Sequence, residues 1–248
     1  MEKWVGKVAV VTGASAGIGE AITKDFAKLG INVIGLARRS EKIEKFASSL
    51  GEVLGIVYAK ACDVSDLKSV KETFKWIEET FGTVNILINN AGVGYGVKIL
   101  DEGDDVTEKL TETIDTNFTG VINCTREAVR LMKLSGDYGM VININDICGH
   151  YLPSFEEESL NVYAPTKFAL TALSEVLRRE LIEQGNDLIR VSSINPGTVK
   201  TEDNDDQDIE ELPHIKPEII SDGVQYLLKQ PPNVNITQLT MRPVGEKF

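Results

Sequence analysis

Tyr163 and Lys167 stand four positions apart in Tyr163-Ala-Pro-Thr-Lys167, so on a helix they share one face. A phenol titrates near 10 and is a poor acid–base group at neutral pH unless a nearby cation stabilises the phenolate. Lys167, one turn away, can supply that charge, which makes the pair a proton donor for a developing alkoxide. The same spacing also fits an ordinary exposed pair. Pro165 between them removes one N–H and pushes Ala164 away from the α region, which loosens any inference from spacing alone. Upstream, the run Met140-Val-Ile-Asn-Ile-Asn-Asp146-Ile-Cys-Gly149 ends on a carboxylate. An ionised carboxylate offers only acceptors, and an Asp at a strand end also reads as a turn or cap residue.

A second constellation lies at the other end of the chain. Thr12-Gly13-Ala-Ser15-Ala-Gly17-Ile18-Gly19 follows an apolar run directly and opens a helical pattern. Glycines there allow a tight turn and close backbone approach, and the helix N-terminus presents free N–H groups and the positive end of a dipole. A bare glycine trio is equally a tight strand-to-helix turn, but strand, loop and helix stand in the order a dinucleotide site requires. After the second apolar run comes Gly35-Leu-Ala-Arg38-Arg39, where an NAD-selective site places an acid for the ribose 2′-hydroxyl. Arg38 instead can pair with a 2′-phosphate and stack on adenine, favouring NADP(H) over NAD(H). Arg39 also fits a solvated basic turn.

The elements that must position these groups follow from periodicity. Apolar runs of strand length recur at Val8–Val11, Val33–Leu36, Ile56–Tyr58, Ile86–Ile88, Val141–Ile144, Ile189–Ile194 and, more weakly, Ile236–Met241. Several are apolar on both faces, as a doubly covered parallel sheet demands. Between them, helical spacing marks Ile18–Leu29, Glu41–Leu50, Leu67–Thr80, Val106–Leu134, Asn161–Gln184 and Pro217–Lys229. The alternation predicts an α/β fold, a Rossmann-like doubly wound parallel sheet of about seven strands formed through right-handed crossovers. With 248 residues and no linker-like segment, one domain spanning 1–248 is expected.

Composition excludes several function classes. A formal charge of −12 repels phosphate backbones and anionic membranes, arguing against nucleic acid as a partner. Cys62, Cys124 and Cys148 are odd in number, dispersed and unaccompanied by clustered His, so neither a disulfide framework nor a metal site is expected. His150 and His214 read as structural. The N-terminus runs straight into the first strand, and no stretch of about 18 apolar residues follows. A cytoplasmic protein without leader or membrane span is the resulting expectation.

These residues, with Asp63, Val64, Asn89-Asn90-Ala91-Gly92, Asn117 and Asn195-Pro196-Gly197-Thr198, resemble the short-chain dehydrogenases/reductases along nearly the whole chain. The stretches His214-Ile-Lys-Pro217 and Met241-Arg-Pro243 are similar to the branch that holds insect farnesol dehydrogenases and dehydrogenase/reductase member eleven. The resemblance implies that Asp63 and Val64 contact adenine, that Asn90, Ala91 and Gly92 border the ribose, and that Thr198 bonds the nicotinamide carboxamide. It implies Tyr163 as acid/base, Lys167 bonding the nicotinamide ribose, and Asn117 holding a relay water. Read without the family, Asn117 is a polar interruption of a helix, and Asn89–Gly92 and Pro196-Gly197 are turns at strand ends.

One departure is central. The family places a serine three residues before the glycine of the segment, to donate a hydrogen bond to the substrate oxygen; here that position is Asp146. Stabilisation of a developing oxyanion would turn into repulsion. Three outcomes stay open: a protonated Asp146 acts as donor, Asn145 substitutes for it, or Asp146 pairs elsewhere and the chain is an attenuated cofactor binder. Val93-Gly94-Tyr95, Ile147-Cys148, Tyr151-Leu152-Pro153 and Val199 suggest an apolar alcohol or carbonyl substrate, of terpenoid type where the resemblance to the farnesol dehydrogenase branch is followed. Glu156–Glu158 reads as a solvated run and residues 202–211 as a mobile acidic loop. The family resemblance implies that the long helical segments Val106–Leu134 and Asn161–Gln184 pair across the interface of a homodimer or homotetramer.

Overall fold

The structure, a computed structural model, describes residues 1–152, 160–201 and 213–247. Its centre is a seven-stranded sheet in the order β3-β2-β1-β4-β5-β6-β7. The strands are β1 (Val8–Thr12), β2 (Asn32–Ala37), β3 (Val57–Ala61), β4 (Ile86–Asn89), β5 (Gly139–Ile144), β6 (Ile189–Pro196) and β7 (Gln238–Met241). Every neighbouring pair is parallel. The order reverses between β1 and β4, and at such a switch point the carboxyl ends of the strands leave a crevice where ligands bind.

Helices cover both faces: α1 (Gly17–Lys28), α2 (Ser40–Ser49), α3 (Leu67–Phe81), α4 (Val106–Ile114), α5 (Gly120–Ser135), α6 (Tyr163–Glu183) and α7 (Pro217–Lys229). Alternate strand residues go to opposite sides. Ala9 and Val11 pack with Ile22, Phe26, Ile43 and Val224 of α1, α2 and α7. Val8 and Val10 join Phe74, Ile77, Ala128, Leu131 and Leu181 of α3, α5 and α6. Burial on both faces is why β1, β4 and β5 are apolar for most of their length. Local chemistry sets several element ends. Asp66 caps α3 by accepting from the Lys68 N–H at 2.9 Å, Gly82 closes that helix at φ +71°, and Pro217 opens α7, where a missing N–H costs nothing.

The long stripe Val106–Leu134 is not one continuous α-helix. A π turn, Asp115–Thr119, separates α4 from α5. Wider turns of this kind recur where a helix must aim a functional group, and Asn117 sits inside it. The 3.6-residue stripe barely changes across one such turn, so periodicity could not show it. Among the described residues no helix is long and apolar enough to cross a membrane.

Candidate active site

The glycine loop is built against the end of β4. Thr12 Oγ1 accepts from the N–H groups of Asn90 and Ala91 at 2.9 and 3.0 Å, while Asn90 Nδ2 donates to the carbonyls of Thr12 and Gly13. Gly13 and Gly17 lie at φ +64° and +55°, where a side chain is strained. A Cβ on Gly13 would fall 2.9 Å from Ala91 Cα, and one on Gly19 2.3 Å from the Gly13 carbonyl oxygen. Helix α1 then begins without a side-chain cap at Ala16, and Ala16, Gly17 and Ile18 border a cavity of about 500 Å³. Ser15, Gly17, Ile18, Arg38, Arg39, Asp63, Val64, Asn90, Ala91 and Gly92 border that cavity with Gly13. Gly19 does not; it lies beneath Gly13 and keeps the loop close to the helix.

Arg38 is exposed and its Nη1 donates to Glu112 Oε1 at 2.8 Å. The other oxygen of Glu112 accepts from the Tyr95 hydroxyl at 2.5 Å. That bond holds the Tyr95 phenol above its ordinary range and the Glu112 carboxyl below its own. Glu112 therefore fastens Arg38 at the rim of the cleft. A single part-buried Glu on a helix has no distinguishing pattern in the sequence.

A second hollow of about 530 Å³ continues from the first through Ile18, Asn90, Gly92, Val93, Gly94 and Thr201. It holds Asp146, Tyr163, Lys167, Pro196, Gly197 and Thr198, with Ile147, Cys148, Leu160 and Val199 as apolar walls. Asp146 Oδ1 accepts from the Cys148 N–H at 2.8 Å, capping the short turn Ile147–Gly149. Its Oδ2 accepts from the Tyr163 hydroxyl at 2.9 Å. Cap and reactive-site partner, two roles the sequence left as alternatives, are thus both filled by this carboxylate. Asn145 is turned away, donating to Thr171 Oγ1 at 2.9 Å, so its amide is not directed at a substrate oxygen.

Pro165 does not disturb the pair. It lies in the first turn of α6, where its N–H would lack an intrahelical partner. Asn161, at φ +27°, accepts from the Tyr163 N–H and donates to the carbonyls of Tyr95 and Val97, tying the helix start to the substrate-side loop. Lys167 Nζ lies 5.3 Å from the Tyr163 ring centre and 3.4 Å from the Asn145 carbonyl oxygen.

The electrostatics correct one expectation. Lys167 was expected to ease ionisation of Tyr163. Instead burial, then the charge and hydrogen bond of Asp146, push the phenol well above its ordinary range. Burial lowers the Lys167 ammonium, with Asp146 opposing. Burial and Asp146 also push up the Cys148 thiol, so no thiolate nucleophile is available there.

Asn117 lies behind the cleft, not on its wall. Its Oδ1 accepts from the Val93 N–H at 2.8 Å and its Nδ2 donates to the Val93 carbonyl at 2.9 Å, so the side chain braces the substrate-side loop. Thr198 borders the cavity, but its N–H and hydroxyl both donate to Glu246. Those donors are engaged, and Thr201, which sequence reasoning passed over, faces both hollows. Pro153, Glu156–Glu158 and the acidic stretch 202–211 lie outside the described residues.

Residues 7–211 match the family described as short chain dehydrogenase. The chain is 43% identical to a farnesol dehydrogenase of Aedes aegypti over the full length of both. It is 37% identical to dehydrogenase/reductase SDR family member 11 of Gallus gallus, covering 99% of each. Among solved structures, it superposes on an alcohol dehydrogenase from the archaeon Thermococcus sibiricus, complexed with 5-hydroxy-NADP, at a TM-score of 0.80 and 30% identity, covering 97% of this chain and 98% of that one. A serine dehydrogenase in its closed form with NADP+ gives 0.83 and 30%, covering 97% and 96%.

Proposed function

Because the chain belongs to the short-chain dehydrogenase family of oxidoreductases, we propose that it interconverts an apolar alcohol and its aldehyde or ketone with NADP(H), using Tyr163 as the acid/base group. One observation carries the proposal: the Tyr163 hydroxyl and Lys167 border the same hollow, continuous with a glycine-walled cleft at the sheet's switch point. The cleft fits a dinucleotide, since the positions of Gly13 and Gly19 exclude side chains and the uncapped start of α1 supplies donors for a pyrophosphate. Ser15, Gly17 and Ile18 would line the pyrophosphate, Asp63 and Val64 the adenine, Asn90, Ala91 and Gly92 the ribose, and Pro196 and Gly197 the nicotinamide end. A bound nicotinamide nucleotide supplies or accepts the hydride.

In the reductive direction Tyr163 holds the proton that the nascent alkoxide needs, and Lys167 supplies positive charge behind it. Asp146 competes for that same proton, because a hydroxyl with one hydrogen cannot serve the carboxylate and the substrate together. Asn117 and Asn161 keep Val93 and Tyr95 in place as walls. The apolar lining, and similarity to a farnesol dehydrogenase, support a terpenoid-like substrate.

The Tyr163–Asp146 bond also favours a second reading, an attenuated protein that keeps the cofactor and little turnover. NADPH-linked reduction of a panel of apolar aldehydes and ketones by the native chain and by Asp146→Ser separates the two. Turnover by both supports the enzyme; turnover by the serine variant alone supports attenuation; turnover by neither removes the enzyme reading.

Arg38 gives the preference for NADP(H). A hydrogen bond to a charged group is worth about 1.5–3 kcal/mol, so Arg38→Ala should weaken NADPH by about 10- to 100-fold. NADH affinity should hold within about twofold. Equal affinity of the native protein for the two cofactors would refute the role.

Phe168, Ala172 and Val176 form an exposed stripe along α6, with Ile114 exposed on α4. Such a stripe supports a homodimer or homotetramer built on these helices. Light scattering should give a mass of two or four chains, and Val176→Lys should lower it; a monomeric native protein would contradict this.

A further inference from the structure

Beyond β7 the chain turns back, with the Glu246 N–H meeting the Pro243 carbonyl at 3.3 Å and Gly245 at φ +93°. The turn delivers the Glu246 side chain, only 2% exposed, to the loop after β6. Its Oε1 accepts from the Thr198 N–H at 2.7 Å and from the Thr198 hydroxyl at 3.0 Å. Its Oε2 accepts from Arg242 Nε at 2.7 Å. A Cβ on Gly197 would lie 2.4 to 2.5 Å from both oxygens, so the approach depends on that glycine. The Arg242 guanidinium in turn sits 5.6 Å from the centre of the Tyr151 ring, on the turn that follows Asp146.

Gly197, Thr198 and Val199 border the hollow that holds Tyr163 and Lys167, while Glu246 does not border it. The carboxylate therefore grips this loop from its outer side. Three donors converge on one buried acid, and removing that acid would leave the part-buried Thr198 N–H and hydroxyl without their acceptor, which is costly for desolvated donors. The adenosine end is built elsewhere, from Arg38, Asp63 and Glu112. From this separation we infer that Glu246 is a positioning residue, a C-terminal clasp that sets the loop bordering the nicotinamide end of the cofactor. The inference rests on the NADP(H) assignment above.

The test compares two ligands. NADPH carries the nicotinamide; adenosine 2′,5′-bisphosphate carries the adenosine and 2′-phosphate without it. Glu246→Ala should weaken NADPH by about tenfold and leave adenosine 2′,5′-bisphosphate within about twofold. Glu246→Gln retains an acceptor for Thr198 and should recover most of the loss. If the alanine variant does not fold, Arg242→Gln frees one oxygen of the clasp and should produce the same selective pattern at smaller size. Equal weakening of both ligands, weakening of neither, or a glutamine variant as poor as alanine overturns the clasp while sparing the cofactor assignment. Failure of the native protein to bind either ligand overturns both.

Discussion

Asp146→Ser should raise NADPH-linked carbonyl reduction by about 100-fold or more. A single donor to a developing oxyanion is worth about 10²–10³ in rate, and here an acceptor stands where that donor is needed. The substitution also releases the Tyr163 hydroxyl, which now donates to Asp146 Oδ2 at 2.9 Å, to face the substrate oxygen. A pH signature accompanies the gain. Oxidation of the alcohol requires the phenol to lose its proton, so oxidation climbs as pH rises through the phenol's pKa. Burial and, after it, Asp146 raise that pKa, and the climb is displaced to alkaline pH. With serine the burial contribution stays and the Asp146 contribution is lost, so the climb should move part of the way down. An unchanged profile and turnover would show that the carboxylate is neither repelling the alkoxide nor withholding the proton. A native enzyme already fast below neutrality, and slowing as pH rises, would instead indicate that Asp146 works as a protonated donor.

The second large effect is expected at the phenol itself. Tyr163→Phe removes the one oxygen and leaves the ring that packs near Gly94. General acid–base groups contribute about 10²–10⁴, so kcat should fall by about 10³ while NADPH affinity changes by less than about threefold. Retention of more than about a tenth of native kcat would assign proton transfer to another group. The double variant Asp146→Ser/Tyr163→Phe adds a coupling test. Two groups sharing one hydrogen bond should be non-additive, with serine giving a smaller gain once the hydroxyl is absent, because only its donation to the oxyanion remains.

Much of the architecture was legible because it depends on short-range regularities. Strand runs with both faces apolar and helical stripes between them already imply a parallel sheet with helices on each side, and the observed bounds of α7 coincide with Pro217–Lys229. The glycine loop was legible for the same kind of reason, since Gly13 and Gly17 meet a backbone demand that acts within a few residues. The π turn around Asn117 escaped, because one extra residue in a turn hardly alters a long stripe. Asn161 escaped because nothing local distinguishes an asparagine that braces a loop more than 60 positions away.

The amino-acid order alone thus determined the strand-and-helix succession, the phosphate loop, the single-face placement of Tyr163 and Lys167, and the anomaly of a carboxylate at 146. Only the tertiary structure decided what that carboxylate does, that the phenol is raised instead of lowered, and that Glu112 and Glu246 reach Arg38 and Thr198 from 74 and 48 positions away. The physical reason is range. Backbone sterics and hydrophobic periodicity act between near neighbours along the chain, whereas protonation and orientation depend on burial and on partners that folding alone brings within about 3 Å.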